Sequence, residues 1–227
     1  MINFTCSSEP VLIASGDARL AGVLEFPQSP SGMVLLNRGC GTYGRSPRNS
    51  FLADELRRAG LATLLLDLLG MDEDRGDGQR FDLALLGARL GSATDWLAAE
   101  PETRKLALGL YGTGGDAAAA AQLAARRPEQ IAAVVACGGR LDLAGAEALE
   151  RVRAPTLLIV GEEDRSLIQL NREALNRLSC EKDLAVIRGT THPCREQSTL
   201  EEVARLAARW FTGYFGGRVR PALRPQA

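Results

Sequence analysis

Short, unbroken aliphatic runs alternating with amphipathic segments are what most constrain this chain. Met33-Val-Leu-Leu, Ala62-Thr-Leu-Leu-Leu, Ile131-Ala-Ala-Val-Val-Ala and Thr156-Leu-Leu-Ile-Val leave almost no polar face. Strands covered by helices on both sides read this way. The pattern predicts strands over 10–14, 20–26, 33–36, 62–66, 106–110, 131–136, 156–160 and 184–187. Helical spacing of apolar residues predicts helices over 50–59, 81–98, 117–127, 166–178 and 199–215. An antiparallel start followed by repeated strand–helix–strand units implies an α/β architecture. The expected sheet is twisted, mostly parallel and about eight-stranded, with helices on both faces. Residues 1–215 read as one domain, and the basic, proline-broken 216–227 segment as a frayed tail.

Composition excludes several classes of partner. Of 227 residues, 45% are apolar and 24% charged, and the net charge is -1. That balance supplies no electrostatic case for nucleic acid or for an anionic membrane surface. No apolar run approaches the roughly 20 residues that span a bilayer. The first ten residues lack the basic and apolar regions of an export signal. Five cysteines at irregular spacing argue against a disulfide framework and imply a reduced, cytoplasmic chain. A small molecule is the expected substrate.

In a sheet of this kind, function collects at the carboxyl ends of the strands. One of those ends carries Gly109-Leu-Tyr-Gly-Thr-Gly-Gly-Asp-Ala, a glycine-dense turn between an aliphatic run and an alanine-rich helix. Strand, tight turn and helix form the setting of a G-x-S-x-G nucleophile elbow. Here Gly114 stands two residues after Gly112, where the serine of that motif falls, and Asp116 stands at its closing glycine. Thr113 has a hydroxyl, but the central residue of the turn is the one aimed outward, so Thr113 reads as a packing residue. Gly112-Thr-Gly-Gly-Asp also imitates a phosphate loop without the G-x-x-G continuation, so no nucleotide cofactor is expected.

Further segments extend the pattern. Arg38-Gly-Cys-Gly follows the third strand, and Ser46-Pro-Arg-Asn opens the next helix. Gly138-Gly-Arg-Leu-Asp follows the sixth strand, Pro155-Thr-Leu-Leu-Ile-Val-Gly-Glu-Glu-Asp ends at Asp164, and Gly189-Thr-Thr-His ends at His192. Taken in order, these segments resemble an α/β-hydrolase of the dienelactone-hydrolase-like group over residues 10–215. The resemblance implies an α/β-hydrolase fold, an oxyanion loop at 38–41, a catalytic acid at Asp164 and a catalytic base at His192. It also implies that Gly114 has replaced the serine nucleophile, so a conventional serine hydrolase is not expected. Arg38, Gly39, Gly114 and Asp116 are the candidate substrate pocket. Arg38 serves either to anchor an anionic substrate or to pair with Asp116. Glu162 and Glu163 are expected to face solvent, and the acidic 71–80 stretch reads as a surface loop or partial lid more than a metal loop.

Cys40, Cys137 and Cys194 all map to the strand-end rim around Gly114. Cys6 and Cys180 read as structural thiols. Three rim thiolates suit a soft metal, or an iron–sulfur cluster with one iron open to substrate. Three readings follow. The first is an enzyme in which Cys40, Cys137 and Cys194 hold a metal or iron–sulfur cluster for Lewis-acid hydration, elimination or desulfuration. The second is a residual ester, lactone or thioester hydrolase that uses a cysteine or an activated water with Asp164 and His192. The third is a non-catalytic protein that binds a small molecule.

Overall fold

The chain enters its sheet as an antiparallel hairpin of β1 (Ser7–Ser15) and β2 (Ala18–Phe26). The two-residue turn between them is made possible by Gly16 at φ +58°. In this computed structural model residues 7–37, 47–69, 82–194 and 196–216 are described. Six further strands follow: β3 (Met33–Asn37), β4 (Ala62–Leu66), β5 (Leu108–Gly114), β6 (Ile131–Gly139), β7 (Thr156–Gly161) and β8 (Lys182–Ile187). They form one eight-stranded sheet in the order β1-β2-β4-β3-β5-β6-β7-β8. β2 meets β4 antiparallel, and every pairing from β4 to β8 is parallel.

Helices cover both faces: α1 (Pro47–Arg58), α2 (Leu83–Ala99), α3 (Gly115–Arg126), α4 (Ala146–Arg151), α5 (Arg165–Arg177) and α6 (Gln197–Phe215). The two-residue period of a strand splits its side chains between two cores. Met33 and Leu35 of β3 join the core under α2, α3, α4 and α5, whereas Val34 and Leu36 join the core under α1 and α6. This double burial is the physical reason the aliphatic runs are unbroken.

Local chemistry sets the helix starts. Pro47 occupies the first turn of α1, where its missing N–H is no loss. The Asp82 carboxylate accepts the Ala84 and Leu85 amides and caps α2. Two features depart from the sequence expectation. β5 ends at Gly114 rather than at 110, because Thr113 and Gly114 pair with Cys137 and Gly139 of β6. A 3-10 turn (Leu141–Ala144) and the six-residue α4 also emerge, both too short to show a helical period. Among the described residues, no helix is long and apolar enough to cross a membrane.

Candidate active site

The elbow between β5 and α3 is built by leaving out side chains. A Cβ on Gly112 would lie 2.7 Å from the Ala117 backbone, and one on Gly139 would lie 2.4 Å from the Ala117 Cβ. Ala117 therefore packs directly on both glycines, and the strand turns into the helix without an intervening residue. Gly114 makes the turn at φ +53° and ψ -127°, a left-handed conformation that other residues adopt only with strain. A Cβ added at Gly114 would meet nothing within 4 Å. The outward side of the elbow is open space.

Asp116 lies in the first turn of α3 and is only 5% exposed. The Asn37 side-chain amide donates to its carboxylate. Asn37 in turn accepts the Asn49 amide on its own carbonyl at 3.1 Å. The end of β3 and the starts of α1 and α3 are thus tied together through polar groups. Burial pushes the Asp116 carboxyl up to about 6, although the Asn37 hydrogen bond works in the opposite direction.

Arg140, given no role by sequence reasoning, closes the other side of the elbow. Its backbone N–H donates to the Gly114 carbonyl at 3.0 Å. Its guanidinium forks onto the Asp142 carboxylate at 2.8 and 2.7 Å, which lowers the Asp142 pKa. Asn171, buried in α5, donates to the Gly139 carbonyl at 3.0 Å and steadies the same turn. A basic residue and an acidic residue two apart after a strand were the only sequence signal for this support.

Asp164 and His192 lie on neighbouring rim loops. Asp164 caps α5, with its carboxylate accepting the Leu167 amide at 2.9 Å. His192 is exposed, and its backbone N–H donates to the Thr190 hydroxyl at 3.1 Å. No hydrogen bond or ion pair among the described residues joins the two side chains. Other groups connect these loops. Glu162 accepts the Gly189 amide at 3.1 Å, and Glu163 accepts the Thr191 hydroxyl at 3.3 Å. Both glutamates are exposed, as expected, yet they brace the histidine loop. Thr190 adds a 2.7 Å hydrogen bond to Glu196.

The rim cysteines bring a correction. Cys137 and Cys194 are joined in a disulfide, with their Cα atoms 6.8 Å apart, so the chain is not fully reduced. Sequence spacing carried no sign of it, since 57 positions separate the partners. The bond anchors the histidine loop to β6, where Cys137 is in register with Thr113. The Tyr111 hydroxyl lies 3.3 Å from the Cys194 sulfur, and burial raises the pKa of its phenol. Two of the three expected thiolates are therefore one covalent link. Arg38, Gly39 and Cys40 lie outside the described residues, as do Cys6, Ser46 and the 71–80 stretch. Among the described residues, no group of three or more histidine, cysteine or acidic side chains is placed to hold a metal ion. Cys180 is half-buried against Thr156, and burial raises its pKa, as suits a structural thiol.

No protein-family model matches the chain. Among solved structures, the dienelactone hydrolase of Anabaena variabilis superposes with a TM-score of 0.86 at 43% identity, over 92% of this chain and 98% of that one. The chain belongs to the dienelactone hydrolase family. A more distant neighbour, a dienelactone hydrolase-like promiscuous phosphotriesterase from metagenomic libraries, shares the α/β-hydrolase fold. Its TM-score is 0.74 at 18% identity, over 92% of this chain and 97% of that one. Two Mycobacterium tuberculosis proteins that carry a provisional phosphoribosyl transferase name are 42% identical over 209 residues, 92% of this chain. This dienelactone hydrolase family chain spans about half their length, 47%.

Proposed function

We propose that this chain is a small-molecule hydrolase that opens an ester, lactone or thioester by direct attack of water above Gly114. No serine acyl-enzyme forms on this route. The observation that carries the reading is the elbow itself: Gly114 keeps the strained turn and leaves empty the space a nucleophilic side chain takes in a working elbow. The amides of the first turn of α3, which starts directly after Gly114, lack intrahelical partners. They are the natural partners for a carbonyl oxygen that gains negative charge. In this reading Arg38 and Gly39, which follow Asn37 in the sequence, bind the substrate together with Gly114 and Asp116. His192 protonates the leaving oxygen, and Asp164 holds the neighbouring loop in place through its helix cap. The phosphoribosyl transferase name belongs to proteins of which this chain spans about half. The hydrolase likeness runs over 98% of its counterpart and so weighs more.

The test is a panel of esters, lactones and thioesters, run with fluorophosphonate labelling and mass spectrometry during turnover. Turnover without a burst, a label or an acyl adduct is expected, and His192→Ala should abolish it. Binding without any turnover would replace the proposal with a ligand-binding protein, and an acyl adduct would replace it with covalent catalysis.

The proximity of Cys137 and Cys194 supports a second reading of the reduced protein. With the disulfide opened, their thiolates and Cys40 could hold a soft metal or an iron–sulfur cluster at the same rim. Stoichiometric iron, zinc or copper in anaerobically purified, reduced protein is the result this reading requires.

A further inference from the structure

A carboxylate taken out of water is costly unless it is paired, and among the described residues Asp116 has one neutral amide for company. The family likeness asks for a small close-packing residue at this position, yet the chain carries an acid there, two residues beyond the open elbow. One carboxylate oxygen accepts Asn37, and the other takes no hydrogen bond from any described residue. No cationic side chain among the described residues pairs with it. From the turn after β6, Arg140 and Asp142 are engaged with each other. From α2, Arg89 donates to the Leu68 carbonyl. From β3 and α1 come the neutral amides of Asn37 and Asn49. Tyr111 of β5 faces Cys194. An acid this buried, in the first turn of the helix that leaves the open elbow and with one oxygen unpaired among the described residues, is available for proton transfer as well as for tying β3 to α3.

We infer that Asp116 is the catalytic base that activates the attacking water. This assignment rests on the water-attack reading above. As the water oxygen bonds to the substrate carbonyl carbon, one of its protons passes to the free oxygen of Asp116. The tetrahedral centre then expels the alcohol or thiol, breaking the bond from the carbonyl carbon to the leaving oxygen or sulfur. The leaving group takes its proton from His192, and Asp116 returns its own through solvent. Water and ester become acid and alcohol, with no change of oxidation state. Asn37 orients the carboxylate and holds its pKa down, so it is a positioning residue.

A base of this kind works only when ionised, so kcat/KM should fall as the pH drops through about 6. Asp116→Asn keeps the shape and the Asn37 contact. It should lower kcat about 100-fold or more, with KM nearly unchanged, and remove the acid limb. Asn37→Ala should move that limb to higher pH, a shift that a purely structural acid would not produce, and Asp116→Glu should restore part of the rate. If Asp116→Asn melts well below the wild type, the Asn37→Ala limb and the Asp116→Glu rate decide the matter. Turnover that persists in Asp116→Asn, with the acid limb in place, overturns the role of Asp116 and leaves the water-attack reading standing. A wild type that turns over nothing on the panel overturns both.

Discussion

At the elbow, Gly112 meets the Ala117 backbone and Gly139 meets the Ala117 Cβ, whereas the loop over 188–194 is also tied by side chains from distant elements. The elbow contributes shape through residues that have almost no side chain, and its rigidity is steric. The histidine loop packs its Thr190 backbone on Gly161, and Glu162, Glu163 and the bond from Cys137 to Cys194 add side-chain ties. Both lie on one rim, yet only the loop can be released chemically while the sheet stays intact. Steric confinement allows little adjustment; a staple can be undone.

The largest effect should come from removing that staple. In the chain-entropy account, a link across 57 residues is worth about 4 kcal/mol. Cys137→Ser together with Cys194→Ser should therefore lower the melting temperature by roughly 10 °C. Hydrogen exchange should rise in the 188–194 segment and remain slow in β5. Equal loosening at the elbow would erase the contrast between the two regions.

Next in size is the pH dependence set by Asp116. Its carboxyl titrates near 6 in the folded protein against an ordinary 3.8, so the native state holds its proton longer than the unfolded chain does. Stability from this group is then greatest below about pH 4 and declines as the pH rises to about 6. The gap corresponds to about 3 kcal/mol at most. Asp116→Asn should accordingly stabilise the protein by up to that amount at pH 8 and by almost nothing at pH 4. Denaturant titrations at the two pH values check this; equal effects at both would show that burial of the charge is not what the acid costs the fold.

Steric confinement at the elbow has its own test. Gly139→Val drives a side chain into the Ala117 Cβ and should cost about 1–3 kcal/mol, since so close a contact cannot relax cheaply. A change below about 0.5 kcal/mol, within the range of ordinary surface substitutions, would mean that the elbow gives way as easily as a loop.

Gly114→Ser should be the mildest of these changes. Open space receives the side chain, and only the left-handed backbone costs energy, about 1–2 kcal/mol. On the proposed route the new hydroxyl would stand where the water attacks, so turnover of the panel ester should fall. Fluorophosphonate labelling of the serine reports whether His192 reaches the elbow. We expect a label that disappears in Gly114→Ser/His192→Ala; a label that survives the second change would separate the histidine loop from the chemistry.

Several of these features could be read before any fold was known. Continuous aliphatic runs mark β3, β4 and β7, because both faces of those strands are buried. The glycine-dense turn and the unusual acid at Asp116 were visible as departures from the elbow motif. Other features were hidden. The last four residues of β5 read as turn, since glycine has no strand preference and only pairing with β6 makes Thr113 and Gly114 a strand. Asn37 is an ordinary polar residue until the sheet order brings β3 beside β5 and places it at Asp116.

The sequence by itself determined the α/β class, the family likeness and the glycine-dense turn, because periodicity and motif order are local properties of a chain. Tertiary structure decided which two of three rim cysteines join, what Asp164 touches and which amide faces Asp116. Those are distances between residues far apart along the chain, and only the packing of the sheet and its helices sets them.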